Sequence, residues 1–334
     1  MRFLVIGGAG YIGSHFVREA LRQGHSCDIY DNLSRGHRQS IPEGVRLIEA
    51  DLLDQERLQA AFAEQPSYDA VFHFAAFALV GESVAQPDLY YRNNTEGVRV
   101  LLDVLRDRAP ETVLVFSSTC AVFGEPEKLP IAEGDRKQPI SPYGRSKLMA
   151  EWMMEDYARA YGLKTLALRY FNACGADASG DIGEDHEPET HLIPNVLRLS
   201  LAGKPLTIFG RDFTTKDGTC VRDYIHVTDL ADAHIRAANY LIAAPKGTFD
   251  AIHLGTGEGY SNLDIVKAAG DVLGRSLPYT FGERRAGDPP GLYADNRKAK
   301  SLLGFQTRYS DLSTILKSAL AWHKHRPDGY RTQR

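Results

Sequence analysis

The sequence predicts an α/β protein, a doubly wound parallel sheet with helices on both faces and a smaller α/β lobe toward the C-terminal side. Three observations predict it. Short β-branched runs alternate with stretches of helical periodicity through the first half of the chain. A glycine-rich segment, Gly7-Gly8-Ala9-Gly10-Tyr11-Ile12-Gly13, stands directly between the first run and the first helical stretch. After Asn172 the alternation gives way to a Gly-, Asp- and Glu-rich stretch over residues 175–189, followed by short segments with many aromatics.

Strands are expected at residues 3–6, 27–30, 46–49, 70–74, 112–116 and 165–169, apolar runs too short for helices. Between them Ile12, Phe16, Val17, Ala20 and Leu21 make one helical stripe, and Leu89, Val98, Leu101, Leu102 and Leu105 another. Runs without polar alternation suit strands covered on both faces. The first domain is assigned residues 1–172, the second 173–222 and 246–334. The segment 223–245, again strand then helix, returns to the first. The basic tail over 323–334 reads as a solvated end.

Composition bounds the function. With 334 residues, 43% hydrophobic and 25% charged, the chain can bury a large core. Its 39 basic and 43 acidic residues leave a net charge of −4, which argues against nucleic acid or an anionic membrane as partner. No apolar run approaches the roughly 18 residues of a membrane span, and the start lacks a signal-peptide core. Cys27, Cys120, Cys174 and Cys220 form no CxxC pair and read as reduced thiols, which favours the cytoplasm.

The glycine segment opens a helix behind a strand, the setting in which backbone N–H groups and a helix N-terminus hold a pyrophosphate. It reads as a dinucleotide site of Rossmann type with Gly7, Gly10 and Gly13 at the close approaches. Asp31 ends the second run about 20 residues on, where a carboxylate accepts from the adenosine ribose and repels a 2′-phosphate. NAD is therefore expected rather than NADP. Asp51 ends the third run, placed to accept from the adenine amino group or to cap a helix.

The segment Ser141-Pro142-Tyr143-Gly144-Arg145-Ser146-Lys147 predicts a helix start, with Ser141 capping and Pro142 in the first helical position. Tyr143 and Lys147 then share a face, and an ammonium beside the phenol is expected to lower its pKa and make it a general base. Thr119, closing the fifth run, would relay a proton between substrate and Tyr143.

These segments, with Arg169-Tyr170-Phe171-Asn172 and Val221-Arg222-Asp223-Tyr224-Ile225-His226-Val227, resemble the extended short-chain dehydrogenase/reductase family. His73-Phe74-Ala75-Ala76, Val80-Gly81-Glu82-Ser83, Gly180-Asp181-Ile182-Gly183-Glu184-Asp185 and the spacing of Arg285 and Asp288 are similar to its UDP-hexose 4-epimerase branch over nearly the whole chain. The resemblance implies an isomerase that keeps NAD bound. Tyr143 takes the proton of the sugar 4-hydroxyl while C4 passes a hydride to the nicotinamide, and the 4-keto sugar takes it back on its other face, interconverting UDP-galactose and UDP-glucose. It implies cofactor contacts from Tyr11, Ile12, Asn32, Leu52, Phe74, Ala75, Ala76, Asn93, Ser117 and Tyr170, with Lys147 also on the nicotinamide ribose. On the substrate side it implies Arg222 and Arg285 on the diphosphate, Phe209 against the uracil and Asp288 on the ribose hydroxyls. Thr119, Asn172, His191, Leu192 and Thr207 complete that side. A homodimer is expected, with the stripe over 89–105 and Leu148, Trp152 and Met153 pairing helices between subunits.

The chain departs from the family at Ala78, Thr119, Phe123 and His191, where lysine, serine, tyrosine and asparagine are respectively frequent. Asp177, Asp181, Glu184, Asp185, His186, Glu187 and Glu189 show no recognised ligand spacing and read as a solvated or substrate-covering loop, so no metal is expected. Rival readings are a 4-epimerase of UDP-xylose, UDP-arabinose or a UDP-N-acetylhexosamine, a sugar-nucleotide dehydratase, and a non-catalytic NAD-sensing scaffold. The bulk of Leu292 disfavours an N-acetyl group. Thr119-Cys120-Ala121 lacks the carboxylate a dehydratase needs, and a scaffold would not require Tyr143 and Lys147.

Overall fold

The structure is a computed structural model that describes residues 1–64, 68–285 and 288–331. In chain order the first half contains β1 (Arg2–Ile6), α1 (Tyr11–Arg22), β2 (Ser26–Asp31), β3 (Arg46–Glu49), α2 (Gln55–Glu64), β4 (Ala70–His73), α3 (Val80–Ala85) and α4 (Pro87–Tyr90). A π-helical stretch (Tyr91–Glu96) runs into α5 (Gly97–Arg108), then come β5 (Val113–Thr119), α6 (Pro142–Tyr161) and β6 (Thr165–Tyr170). The second half contains β7 (Asn172–Cys174), α7 (Leu192–Leu201), β8 (Leu206–Phe209), β9 (Val221–Arg222), β10 (Tyr224–His226), α8 (Val227–Ala243) and β11 (Phe249–Leu254). It ends with β12 (Tyr260–Ser261), α9 (Asn262–Leu273), β13 (Tyr279–Gly282), β14 (Gly291–Leu292), α10 (Arg297–Leu303) and α11 (Leu312–His325).

Seven parallel strands form the central sheet in the order β11-β6-β5-β4-β1-β2-β3. The winding reverses beside β1, where β4 lies on one side and β2 on the other, opening a crevice at the carboxyl ends of the strands. Alternate residues of each strand face opposite ways. Phe3, Val5, Phe72, Val115 and Leu168 pack with Phe16 and Val17 of α1 and Leu230 and Ile235 of α8. Leu4, Ile6, Val71, Leu114 and Phe116 pack on the other face with Leu58 and Phe62 of α2, Leu101 and Leu105 of α5 and Met154 of α6.

Six of these strands are the ones expected; β11 is not. Its residues lie beyond position 245, in the stretch assigned to the second lobe, yet it pairs with β6 from Phe249 on Thr165 to Leu254 on Tyr170. Ala299 and Leu303 of α10, with Phe305, also join the core under α1 and α8. The stripe on α5 is core as well: Val98, Leu101, Leu102 and Leu105 are buried within the subunit, so they have no surface to offer a partner.

The remaining elements pair β7 with β10, β8 with β13, and β9 between β12 and β14, over a separate core of α7, α9 and α11 residues that includes Ile193, Leu197, Ile265 and Leu316. The end of the chain is solvated only in part: Lys324, His325 and Arg331 are exposed, but Gly329 and Tyr330 are not. Tyr330 is buried with Trp322, Ala176 and Ile182, and its ring stacks on His37 at 4.5 Å. Residues 332–334 of the basic tail lie outside the described residues.

Candidate active site

The glycine loop is tight because backbone fills the space that side chains would take. A Cβ on Gly13 would sit 2.1 Å from the carbonyl oxygen of Gly7, and one on Gly7, whose φ is +79°, 2.5 Å from the amide of Ala75. Gly10 differs: its Cβ would meet only the Gly7 oxygen, at 3.4 Å. Its smallness therefore leaves the N-terminal end of α1 open to an approaching pyrophosphate, which fits a dinucleotide. Ile12 packs its side chain into the core, and Tyr11 turns its hydroxyl away to donate to the carbonyl of Gly175 at 2.7 Å.

Asp31 is buried at the tip of β2, accepting from the Ala9 amide at 2.9 Å and the Leu33 amide at 2.8 Å. Burial raises its pKa and those two donors oppose the rise. Asn32 donates to Asp51 at 2.9 Å, and Asp51 accepts from the Leu53 amide at 2.9 Å. Asp51 is therefore not the helix cap. Asp54 takes that place, accepting from the Arg57 amide at 3.0 Å ahead of α2. Leu52 is buried against Gly97.

Phe74, Ala75 and Ala76 leave β4 toward the same crevice, the amide of Phe74 donating to Ile6 at 2.7 Å. Asn93 donates to Asn94 at 2.9 Å. Asn94, which the sequence did not single out, holds the loop after β4: it accepts from the Phe77 amide at 3.0 Å and donates to the Phe77 carbonyl at 3.0 Å and to Ser146 at 3.2 Å. Its three bonds go to Phe77 and Ser146, 17 and 52 residues away, so no local pattern announces it.

Ser141 caps α6 as expected, accepting from the Gly144 amide at 3.2 Å, with Pro142 opening the helix. Tyr143 and Lys147 follow on one face. Lys147 is buried and donates to the carbonyl of Ser117 at 2.8 Å, its ammonium 4.5 Å from the Phe116 ring centre. Thr119 ends β5 and accepts from the Ala121 amide at 3.1 Å. Behind them Glu151 accepts from Ser118 at 2.5 Å and from Arg169 at 2.9 and 2.5 Å, an ion pair sealed from solvent.

The electrostatics differ from the expected phenol–ammonium pair. Burial pushes the Tyr143 phenol up, with the Thr119 hydroxyl pulling it back down. Burial also lowers Lys147 to about 7, with Glu151 opposing. Taking charge out of water outweighs what the spacing suggests. Tyr170 stands nearby, pushed to about 12 by burial with Ser117 countering.

On the other side of the crevice, Arg222 bonds Asp288, so two expected substrate groups face each other as an ion pair. Arg285 stacks its guanidinium 4.2 Å over the Phe209 ring, and Thr207 lies exposed on the same side of β8. Asn172 donates to the Asp223 carbonyl at 2.9 Å. Asp223 is a second residue missed by the sequence. Buried, it accepts from the amides of Thr256, Gly257 and Ala294 at 2.9, 3.3 and 3.2 Å, and so fastens β9 and β14 to the end of β11.

The loop before α7 departs most from expectation. Glu184, His186, Glu189 and His191 bring one side-chain N or O each within 4.8 Å of one another, a convergence their spacing had not suggested. Burial alone would lower both imidazoles, but Glu184 and Glu189 outweigh it and hold His186 near 9 and His191 near 10. Leu192 opens α7 beside them, half-buried.

A tight glycine loop ahead of a helix and a buried tyrosine, lysine and threonine at the carboxyl ends of a parallel sheet have the arrangement that a nucleotide-dependent oxidoreduction site requires. The chain belongs to the NAD dependent epimerase/dehydratase family, which it matches over residues 3–251. A UDP-glucose 4-epimerase of Lactobacillus helveticus is 46% identical over 331 residues, 99% of each chain. Among solved structures, the UDP-glucose 4-epimerase of Brucella ovis in complex with NAD superposes with a TM-score of 0.91 at 50% identity, covering 96% of this chain and 97% of that one. The Bifidobacterium longum UDP-glucose 4-epimerase in complex with NAD+ and UDP gives 0.91 at 35% identity, covering 98% and 100%.

Proposed function

We propose that this protein is an NAD-dependent UDP-glucose 4-epimerase, an isomerase that interconverts UDP-galactose and UDP-glucose. The observation that carries the reading is Tyr143, set beside Thr119 on a helix that Lys147 bonds to the end of β5, within the crevice that the glycine loop opens. Relatives of the same length carry that name, and solved ones hold NAD or UDP.

NAD, when bound, would supply the hydride acceptor and donor for the sugar's C4. The chain's own residues do the rest. Tyr143 receives the 4-hydroxyl proton as the C4–H bond gives up its hydride, and returns that proton when the ketone is reduced. Thr119, the hydroxyl that eases the phenol's pKa downward, passes the proton between sugar and tyrosine. Lys147 positions the pair and reaches the nicotinamide ribose.

Gly7, Gly10, Tyr11, Ile12 and Gly13 hold the pyrophosphate through their backbone. Asp31 and Asn32 take the ribose, Asp51 and Leu52 the adenine, and Phe74, Ala75, Ala76, Asn93, Ser117 and Tyr170 the nicotinamide half. Arg222 and Arg285 exchange their present contacts for the diphosphate, and Asp288, released from Arg222, for the uridine ribose. Phe209 and Thr207 flank the uracil, and Asn172, His191 and Leu192 line the phosphate and sugar. Gripping the nucleotide while leaving the hexose loosely held allows the keto ring to turn over.

The same reading divides the labour between residues 1–172 with 223–254, which hold NAD, and the rest, which holds the UDP-sugar. It places the protein in the cytoplasm, supported by four buried, unpaired cysteines. Among the described residues no helix is long and apolar enough to cross a membrane. It also makes the protein a homodimer through α6, whose Met149 and Trp152 remain exposed.

The test is to mix purified protein with UDP-galactose, add no NAD, and follow UDP-glucose by anion-exchange chromatography or proton NMR. Catalytic conversion is expected. No conversion even with NAD added, alongside turnover of UDP-xylose or UDP-N-acetylglucosamine, would move the protein to another sugar.

A further inference from the structure

We infer that Glu184, His186, Glu189 and His191 form a binding site for one divalent transition-metal ion of the zinc type, which clips together the loop leading into α7. The four donor atoms converge rather than pair. His191 Nδ1 lies 2.7 Å from Glu184 Oε1 and 3.3 Å from Glu189 Oε1, while His186 Nδ1 lies 3.3 Å from Glu184 Oε1 and 3.8 Å from Glu189 Oε2. A tetrahedral zinc with ligand bonds of about 2.0–2.1 Å has donor-to-donor edges of about 3.3 Å. The four nitrogen–oxygen separations, which use both oxygens of Glu189, bracket that length, and one donor atom from each residue lies within 4.8 Å of the other three.

Ion pairing alone does not account for the arrangement. It suits His191, but it leaves the Nδ1 of His186 buried with no hydrogen-bond partner although two carboxylates stand next to it. A buried nitrogen that forms no well-shaped hydrogen bond, within 4.8 Å of donor atoms from three other residues, has the surroundings of a metal ligand.

The scaffold is built from atoms that would not ligate. The Trp322 indole donates to the Glu184 carbonyl at 3.0 Å, and the Asn195 amide donates to the carbonyls of Glu189 at 3.3 Å and His191 at 2.9 Å. The backbone is thereby fixed while the side chains turn inward. Both carboxylates are nearly sealed, with 5% and 4% of their side chains exposed, and the imidazoles above them are a third and nearly half open, so an ion can reach the site.

Two nitrogens and two carboxylate oxygens suit zinc, whereas magnesium and calcium prefer all-oxygen shells. Four protein ligands leave no open position, which marks a structural site. Ligation through Nδ1 leaves Nε2 of His191 free, so the inference does not depend on whether that residue also meets a substrate.

The experiment uses the full chain without a histidine tag, stripped with EDTA, dialysed, and titrated with zinc chloride by calorimetry, with metal counted by mass spectrometry after equilibrium dialysis. One zinc per chain is expected. His186→Ala and Glu189→Gln should each weaken binding about tenfold or more, while the exposed His325→Ala leaves it unchanged. Zinc should raise the unfolding temperature of the stripped wild type and of His325→Ala but not of the two cluster variants. Unfolding temperatures in EDTA show whether each variant is folded, and Glu189→Gln, nearly isosteric, carries the test should His186→Ala fail to fold. Failure of the stripped wild type to take up zinc, or equal uptake by the cluster variants, would overturn the site.

Discussion

Lys147 donates to the carbonyl oxygen of Ser117 across 2.8 Å, so a single side chain fastens the first turns of α6 to the last residues of β5. Lys147→Met keeps the stem's packing and removes the bond. Turnover is expected to fall about 10²–10⁴-fold. Because the change also leaves a buried carbonyl without a donor, stability should drop by about 1–3 kcal/mol. Steady-state kinetics and urea unfolding measure the two effects separately.

Tyr143→Phe removes the proposed proton carrier and little else, since the ring and its neighbours stay. A loss of at least about 10²-fold in kcat is expected, with NAD content and UDP affinity nearly unchanged. Full activity would remove the phenol from the mechanism.

Asp31→Ala leaves the amides of Ala9 and Leu33 without their acceptor and removes the negative charge that a 2′-phosphate would meet. NAD affinity is expected to fall and the preference for NAD over NADP to narrow. Cofactor titration of the stripped protein decides it, and unchanged affinities for both would end the ribose assignment.

Asp177 supplies a pH-dependent clamp. Burial raises its pKa, but Ser179 and Arg22 outweigh that and bring it from 3.8 to about 2. A carboxylate depressed in the folded state stabilises fully above its unfolded pKa, and that stability disappears as pH falls from about 4 through about 2. Asp177→Asn should cost about 2 kcal/mol at pH 7. The gap in urea midpoint between variant and wild type should hold down to about pH 4 and close below it.

Trp152 is 56% exposed on α6 beside Met149. If that face meets a second copy, Trp152→Glu should shift the protein to monomer by sedimentation velocity. A dimer that survives the change places the interface elsewhere.

Much of this was legible in the sequence because local rules decide it. Six strands were visible as apolar runs, and the start of α6 was set by Ser141 and Pro142, a cap and a helix opener that need no tertiary partner. β11 escaped because Asp250 and His253 interrupt its apolar run, which an edge strand tolerates. Asn94 and Asp223 escaped because their work lies in contacts with residues far along the chain. The spacing of Tyr143 and Lys147 predicted their shared face but not their proton affinities, since depth of burial is a property of the whole fold. The convergence around His186 was hidden for a related reason: spacing alone does not say which way a loop folds over its own side chains.

The position of β11 sets an order of events during synthesis. When β6 leaves the ribosome, the strand that will cover its outer edge is still dozens of residues from being made, so the row of backbone groups from Thr165 to Tyr170 waits unpaired. Those groups can recruit another nascent chain as readily as their own. A chain truncated before residue 249 keeps the glycine loop and the α6 pair, yet presents a permanently sticky border, and it should accumulate as aggregates rather than as a smaller working enzyme.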